Sequence, residues 1–146
     1  KIGVSGDIIS KDGKLTDEEY HAMKAHPDIG AKIIERLKFL NEAAQIVKYH
    51  HERPDGKGYP EGLQGEAIPF EARILHVCDT LDAMTSTRSY RKARSVEETM
   101  AEFQKCRGTQ FDPEVVDALV GLHNRGELIL IGDALPVEIY AALKDY

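Results

Sequence analysis

The chain has 146 residues and a formal net charge of −6, and 42% of its residues are hydrophobic. This length suits one domain with a sizeable core. The acidic balance argues against broad electrostatic binding to nucleic acid, so we expect no DNA partner. No apolar run approaches the ~20 residues of a membrane-spanning helix. The two cysteines, Cys78 and Cys106, lack metal-like spacing; they indicate a reducing, cytoplasmic compartment and should be small buried apolar residues.

The first half of the chain predicts three short helices after an irregular beginning. Thr16 and Glu19 have the spacing of a capping box, in which each side chain bonds the backbone N–H of the other residue. A helix should therefore begin directly after Thr16. Pro27 should end or re-aim it, because proline removes a helical hydrogen bond. The expected helices cover residues 17–26, 28–37 and 41–51.

The second half predicts one long helix followed by shorter elements. The segment over residues 70–86 is apolar around much of its circumference, so we expect this helix to be central and buried. Ser95 and Glu98 form a second capping box, and Asp112 can cap a helix that opens at Pro113. The pattern is that of an all-α fold. The expected elements are helices over residues 70–86, 96–108, 113–126 and 136–146, with a short strand near 127–131.

Two adjacent histidines, His50 and His51, end a predicted helix just before a glycine-rich loop. Imidazoles are the commonest protein metal ligands. Neighbouring positions on a helix point about 100° apart, so we expect the two rings to serve two neighbouring metal ions rather than one. The alternative is a helix end at which protonated histidine faces the helix dipole.

Asp79 and His26 are the next candidate ligands. Asp79 lies inside the apolar helix over residues 70–86, where a buried carboxylate needs a metal, a hydrogen bond or a charged partner. A carboxylate with imidazoles suits zinc, manganese or iron; the alternative is a buried ion pair with an arginine. His26 stands just before Pro27 and can aim its ring into a cleft, unless it is only a helix-terminal histidine.

A cluster of cations with Arg88 and Arg91 follows the long helix. Arginine binds phosphate in a bidentate manner, so this cluster can hold a phosphate-bearing ligand. The alternative is a solvated basic turn. The other histidines, His21, His76 and His123, we interpret as structural, although His76 lies one turn from Asp79 and could support a metal ligand.

Four stretches of sequence share a pattern that is more specific than any of these residues alone. Residues 50–60 read His-His-Glu-Arg-Pro-Asp-Gly-Lys-Gly-Tyr-Pro, and residues 15–27 carry Leu-Thr-x-Glu-Glu and Met-Lys-x-His-Pro. Residues 68–74 carry Ile-Pro-x-x-Ala-Arg-Ile, and residues 79–91 carry Asp-x-x-Asp-Ala-Met-Thr-Ser-x-Arg-x-Tyr-Arg. Together these motifs resemble the HD-GYP family of phosphohydrolases over about residues 1–120.

The resemblance implies an all-helical HD-type fold and a bacterial signalling enzyme. The implied reaction is hydrolysis of the phosphodiester bonds of cyclic di-GMP to pGpG, and often on to GMP. The implied cofactors are two or three divalent metal ions, iron or manganese. By position in the motifs, the resemblance implies metal ligation by His26, His50, His51 and Asp79, a catalytic role near a substrate phosphate for Lys1, and substrate binding by Tyr59, Arg88 and Arg91.

The resemblance also bears on organisation and partners. The family's motif places His-Asp ahead of the lysine that Lys1 matches, so we expect a fragment whose upstream residues supply two more ligands. Residues 1–126 would form the phosphohydrolase domain, with 127–146 a C-terminal extension packed on it. Implied partners are cyclic di-GMP, an upstream receiver or sensory domain, diguanylate cyclases and a second copy in a homodimer.

Two alternatives to this enzyme remain open from the sequence. One is a catalytically inactive cyclic dinucleotide sensor or protein-interaction module. The other is a metal-dependent hydrolase of a different nucleotide, such as a hybrid cyclic dinucleotide.

Overall fold

The computed structural model describes residues 1–87 and 92–128, and these ranges form the all-α fold that the sequence predicts. Short 3₁₀ turns lie at Lys38–Leu40 and Gly65–Ala67. The described ranges contain no strand, and none of their helices is long and apolar enough to cross a membrane. The helices are α1 (Gly6–Ile9), α2 (Asp17–Met23), α3 (His26–Ile34), α4 (Asn41–Tyr49), α5 (Phe70–Thr85), α6 (Val96–Lys105) and α7 (Pro113–Asn124).

The predicted helix starts are confirmed at three caps. Thr16 and Ser95 each form a capping box with the glutamate three residues on, which opens α2 and α6. The Asp112 side chain accepts hydrogen bonds from the N–H groups of Glu114 and Val115 and so caps α7. Each cap satisfies helix N–H groups that would otherwise lack a partner.

The boundary near Pro27 differs from the prediction. The expected helix over residues 17–26 stops at Met23, and His26 is the first residue of α3. Pro27 therefore lies in the first turn of a helix, where its missing N–H costs nothing, rather than after the end of one. His26 thus belongs to the beginning of α3, and its ring is placed by that helix.

α5 is central in the fold but buried on one side only. It packs against α4, α6 and α7, and its buried residues are Ala72, His76, Val77 and Leu81. Cys78 is exposed, so the prediction of a buried thiol is wrong there. The apolar residues around α5 predicted burial on all sides, but the neighbouring helices in the described ranges cover only one side of it.

The core lies between α5, α6, α7 and the loop that precedes α7. Phe103 and Phe111 are both fully buried, and their ring centroids lie 4.6 Å apart. A second packing unit pairs α3 with α4, and α4 contacts α5. This arrangement brings the start of α3, the end of α4 and one face of α5 together. The core cluster consists of Val77, Leu81, Met100, Phe103, Phe111, Val115, Val116 and Leu119.

The predicted elements at the C-terminus lie largely outside the described residues. Glu127 and Leu128 are described and are not in a strand, and Leu128 packs against the core cluster. The strand positions 129–131, the helix over 136–146 and the packing of the extension over 129–146 stay predictions.

Candidate active site

Three histidines from two helix ends come together. His26 opens α3, His50 is the C-cap of α4, and His51 follows it. One ligand atom from each of the three side chains lies within 4.8 Å of the other two. The ring centroid of His51 is 5.0 Å from that of His26 and 4.0 Å from that of His50. This cluster can hold a metal ion.

The backbone orients two of these rings. The Nδ1–H of His26 donates to the Met23 carbonyl at 2.7 Å, and the Nδ1–H of His50 donates to the Val47 carbonyl at 2.6 Å. A carbonyl oxygen only accepts, so the proton lies on Nδ1 in both rings and Nε2 keeps its lone pair. Hydrogen bonds of this kind fix the tautomer and direction of metal-binding histidines.

Burial favours the neutral form of two of these imidazoles, His51 and His26. Burial lowers the pKa of His51 to about 2, and the neighbouring His50 and His26 add to the shift. Burial also lowers the pKa of His26, although the hydrogen bond to Met23 acts in the opposite direction. A histidine must be neutral to bind a metal, so the cluster suits a cation near neutral pH.

The two adjacent histidines do not point apart as a helix would require. α4 ends at Tyr49, and the 4.0 Å separation of the His50 and His51 rings places them side by side. The argument from 100° spacing therefore does not hold here, because His51 has left the helix. Helical spacing gives no reason to assign the two rings to different metal ions.

Asp79 faces the same space but is not buried. It is exposed on α5, so the prediction of a buried carboxylate is wrong. Its side chain lines a cavity of about 340 Å³ together with His26 and His51. Asp79 does not belong to the close group of three histidines. The rest of the cavity wall includes Lys1, Lys11, Leu15, Tyr20, Met23, Tyr59 and Ala83.

The other predicted site residues divide into two groups. Lys1 and Tyr59 line the cavity with the histidines, as their positions in the motifs suggest. The positive charge of Lys1 contributes to the lowered pKa of His26 and of His51. Arg88 and Arg91 lie outside the described residues.

Tyr59 is held against His51 by the backbone of its loop. Its N–H donates to the His51 carbonyl at 3.2 Å, and the two ring centroids lie 4.9 Å apart at an interplanar angle of 31°. Burial raises the pKa of the phenol, and Tyr20 and Asp79 add to the rise. The Tyr59 hydroxyl therefore stays protonated and can donate a hydrogen bond into the cavity.

Gly58 lets this loop approach the histidine pair closely. A Cβ at residue 58 would lie 2.4 Å from the Arg53 nitrogen, 2.5 Å from the Glu52 Cα and 2.6 Å from the His51 oxygen. All three atoms belong to the backbone, so no side chain can move aside. The absence of a side chain at Gly58 is therefore what lets Tyr59 reach His51.

Two further residues support the site: Glu52, which the sequence did not single out, and His76, which the sequence named as a possible support for a metal ligand. Glu52 is 1% exposed and accepts hydrogen bonds from three backbone N–H groups. The Nδ1–H of the buried His76 donates to the His50 carbonyl at 2.7 Å, which joins α5 to the end of α4. No signal in the sequence pointed to Glu52, because its partners are backbone N–H groups, which almost any residue type supplies.

Comparison with known proteins identifies relatives. Residues 6–115 match the family described as HD domain. The chain is 45% identical over 130 residues to the cyclic di-GMP phosphodiesterase response regulator RpfG of Xanthomonas campestris, an alignment that covers 88% of this chain and 34% of the relative. It is 42% identical over 124 residues to a cyclic di-GMP phosphodiesterase of Thermotoga maritima, covering 84% of this chain and 34% of the relative.

Relatives with another named substrate match as well. The 3'3'-cGAMP-specific phosphodiesterase 2 of Vibrio cholerae is 36% identical over 138 residues, which covers 93% of this chain and 26% of that protein. The crystal structure of a V. cholerae cyclic GMP-AMP specific phosphodiesterase, V-cGAP3, matches with a TM-score of 0.57 and 22% identity over 81% of this chain and 31% of that one. This likeness supports the all-α fold. The chain spans about a third or less of the length of these relatives.

Proposed function

The chain belongs to the HD domain family, and from this we propose that it is part of a metal-dependent phosphodiesterase that hydrolyses cyclic di-GMP to pGpG or GMP. The observation that carries the proposal is the group of three histidines, with ligand atoms within 4.8 Å of one another, beside a cavity of about 340 Å³. A phosphodiester needs such a combination of a cation site and an adjoining space for the ligand.

The histidine cluster fits divalent metal ions. Nε2 of His26 and of His50 is free to bind because Nδ1 of each ring is engaged with a carbonyl. We propose these two residues, His51 and Asp79 as ligands of two or three ions, iron or manganese. Bound metal ions would supply activation of water and neutralisation of phosphate charge.

The remaining residues of the cavity bind and orient the dinucleotide in this proposal. Lys1 places a cation beside the cluster, where it can contact a phosphate oxygen. Tyr59 donates its hydroxyl hydrogen to the ligand. Arg88 and Arg91 lie outside the described residues; their positions in the motifs support a role in holding phosphate groups, since arginine binds phosphate in a bidentate manner.

Cyclic di-GMP is the favoured substrate because two relatives at 45% and 42% identity are named for it. The second candidate is 3'3'-cGAMP, for which a 36% identical relative is named. We further propose a cytoplasmic location, an upstream receiver or sensory domain, regulation together with diguanylate cyclases, and a homodimer. A sensor without turnover is the alternative from another class.

The test is turnover by the protein in its full natural length. The protein, loaded with Mn(II) or Fe(II), is incubated with cyclic di-GMP and, separately, with 3'3'-cGAMP, and the products are separated by chromatography. We expect pGpG or GMP from cyclic di-GMP. Metal bound without turnover of either dinucleotide would favour the sensor, and preferential cleavage of 3'3'-cGAMP would favour the second candidate.

A further inference from the structure

Glu52 is a buried charged residue that the proposed chemistry does not use. It follows the histidine pair directly, and its side chain is 1% exposed. One carboxylate oxygen accepts from the N–H groups of Glu61 and Gly62 at 2.7 and 3.0 Å, and the other accepts from Leu63 at 3.0 Å. Three peptide donors on one carboxylate form a charge-assisted anchor for the far side of the loop.

Glu52 also contacts the loop on the N-terminal side of Tyr59. Gly58 packs so closely on the Glu52 Cα that a Cβ there would lie at 2.5 Å. Tyr59 stands between this contact and the Glu61 N–H that Glu52 binds. The backbone at residue 59 is therefore tied on both sides, and the centroid of the Tyr59 ring lies 4.9 Å from that of His51.

Glu52 itself does not touch the space where a ligand would bind. The cavity wall in the described part of the chain includes His51 and Tyr59 but not Glu52. Any effect of Glu52 on a ligand must therefore pass through a neighbouring residue. Tyr59 is the cavity residue that lies between the two points where Glu52 contacts the loop, Gly58 and the N–H groups of residues 61–63.

We propose that Glu52 is a positioning residue: by binding the N–H groups of residues 61–63, it holds the Tyr59 ring beside His51 in the conformation that receives the dinucleotide. The identity of the ligand in this inference rests on the proposed function, whereas the placement of Tyr59 is independent of it. A preformed loop spares the ligand the entropy cost of ordering it on binding.

The first test reads the position of residue 59 without any ligand. The chain contains no tryptophan, so Tyr59→Trp places a single tryptophan in the loop. Excited selectively over the tyrosines, its quenching by acrylamide reports on the exposure of residue 59. Adding Glu52→Gln keeps the shape of the side chain but removes its charge and one acceptor. We expect the acrylamide quenching constant to rise about twofold, as for a side chain released from a held position. Glu61→Gln is the matched control, because the Glu61 side chain bonds Lys48 and Tyr49, and no bond from that side chain to Glu52 is present in the described part of the chain.

The second test asks whether Glu52 acts through Tyr59. In the full natural protein loaded with Mn(II), the KM for cyclic di-GMP is measured for Glu52→Gln, Tyr59→Ala and the double variant. We expect Glu52→Gln to raise KM about fivefold in the wild-type background with little change in kcat. In the Tyr59→Ala background it should raise KM less than about twofold, because coupled residues are non-additive.

The outcomes separate the inference from the proposed function. An unchanged quenching constant, or an equal effect of Glu52→Gln with and without Tyr59, would overturn the positioning role. A wild-type protein that does not turn over cyclic di-GMP would overturn the proposed function and leave the fluorescence result standing. If Glu52→Gln does not fold, Glu52→Asp, which keeps the charge on a shorter side chain, should show a smaller effect with the same dependence on Tyr59.

Discussion

The core between α5, α6 and α7 and the loop over residues 52–65 are ordered by different forces. In the core, apolar side chains such as Phe103 and Phe111 are fully buried against each other. In the loop, order comes from polar contacts: the Glu52 carboxylate binds three N–H groups, and Arg53 forms an ion pair with Asp55. The Asp55 N–H also donates to the Thr109 carbonyl at 3.1 Å.

Substitutions in the core should affect the stability of the whole fold, whereas substitutions in the loop should act on their immediate neighbours. A core residue contributes through area removed from water, which the whole fold shares. A loop residue contributes through one or two directional contacts that set the position of a neighbour. Stability and ligand binding should therefore separate between the two regions.

Phe103→Ala should have the largest effect on stability. Its side chain is fully buried in the core cluster, and removing a buried ring typically costs about 4 kcal/mol in the free energy of unfolding. Denaturation by urea, followed by circular dichroism, measures the change. Phe39→Ala is the control, because Phe39 is 82% exposed and should lose almost nothing. A small loss at Phe103 would mean that the cluster is not the stabilising core.

His51→Ala should have the largest effect on metal binding. Loss of one imidazole from the cluster should weaken binding by at least about a hundredfold, since ligand-supporting residues alone contribute 10–100-fold. Elemental analysis after dialysis gives the bound metal per chain. The same substitution at His21, which is exposed on α2, should leave the content unchanged. Equal metal content in both variants would contradict the ligand assignment.

Asp79→Ala tests whether Asp79 binds metal in addition to the three histidines. If Asp79 serves one ion of several, the variant should lose part of the metal content rather than all of it. The measurement is again elemental analysis, compared with His51→Ala. Full retention of metal would remove Asp79 from the ligands and leave it as a residue of the cavity wall.

Gly58→Ala should disturb the loop more than the fold. The new methyl group would meet three backbone atoms at 2.4–2.6 Å, so the loop must move away from the histidine pair. A cost of about 2 kcal/mol is typical of such overpacking, and binding of cyclic di-GMP should weaken further. Gly6→Ala is the matched control, because a Cβ there meets nothing within 4 Å. Unaltered ligand binding at residue 58 would show that Tyr59 needs no fixed position.

Lowering the pH should lower the free energy of unfolding of the metal-free protein, because folding disfavours protonation of His51. Burial lowers the pKa of His51 to about 2 from the usual 6.5. Below pH 6.5 the unfolded chain therefore binds a proton that the folded chain does not, and the free energy of unfolding falls as the pH falls. The slope for one such group is about 1 kcal/mol per pH unit. Denaturation after chelation between pH 7 and 5 measures it, and His51→Gln should show a shallower slope than the wild type. Identical slopes would mean that His51 binds protons equally in the folded and unfolded states.

Glu61→Gln should have the smallest effect. Its ion pair with Lys48 lies at the surface, where solvent screens the charges. We expect the urea midpoint to stay within experimental error, although Glu61 belongs to the loop. A clear loss would mean that surface charges, and not the buried Glu52, hold this region.

Much of the fold follows from local sequence patterns. The capping boxes at Thr16 and Ser95 and the cap at Asp112 lie where the pattern predicts them, because these contacts span three residues. The burial of α5 was overestimated because it depends on which neighbours cover each stripe. Asp79 and Cys78, both exposed on that helix, were misjudged for this reason.

The site could be predicted in part. The motifs brought His26, His50, His51, Asp79 and Tyr59 together, and these residues do share one cavity or cluster. The role of Glu52 could not be read from the sequence, because its partners are backbone N–H groups 9–11 residues away that carry no residue-type signal. The side-by-side placement of His50 and His51 depended on where α4 ends, a boundary that patterns give only within a few residues.

The hydrogen bonds of His26 and His50 each reach a carbonyl three residues upstream. Such short-range contacts close with little loss of chain entropy, so they can form as soon as their own turn forms. Two of the three imidazoles would then be oriented while the rest of the chain is still collapsing. Assembly of the cluster would then require that two already shaped turns meet and that the ring of His51 joins them.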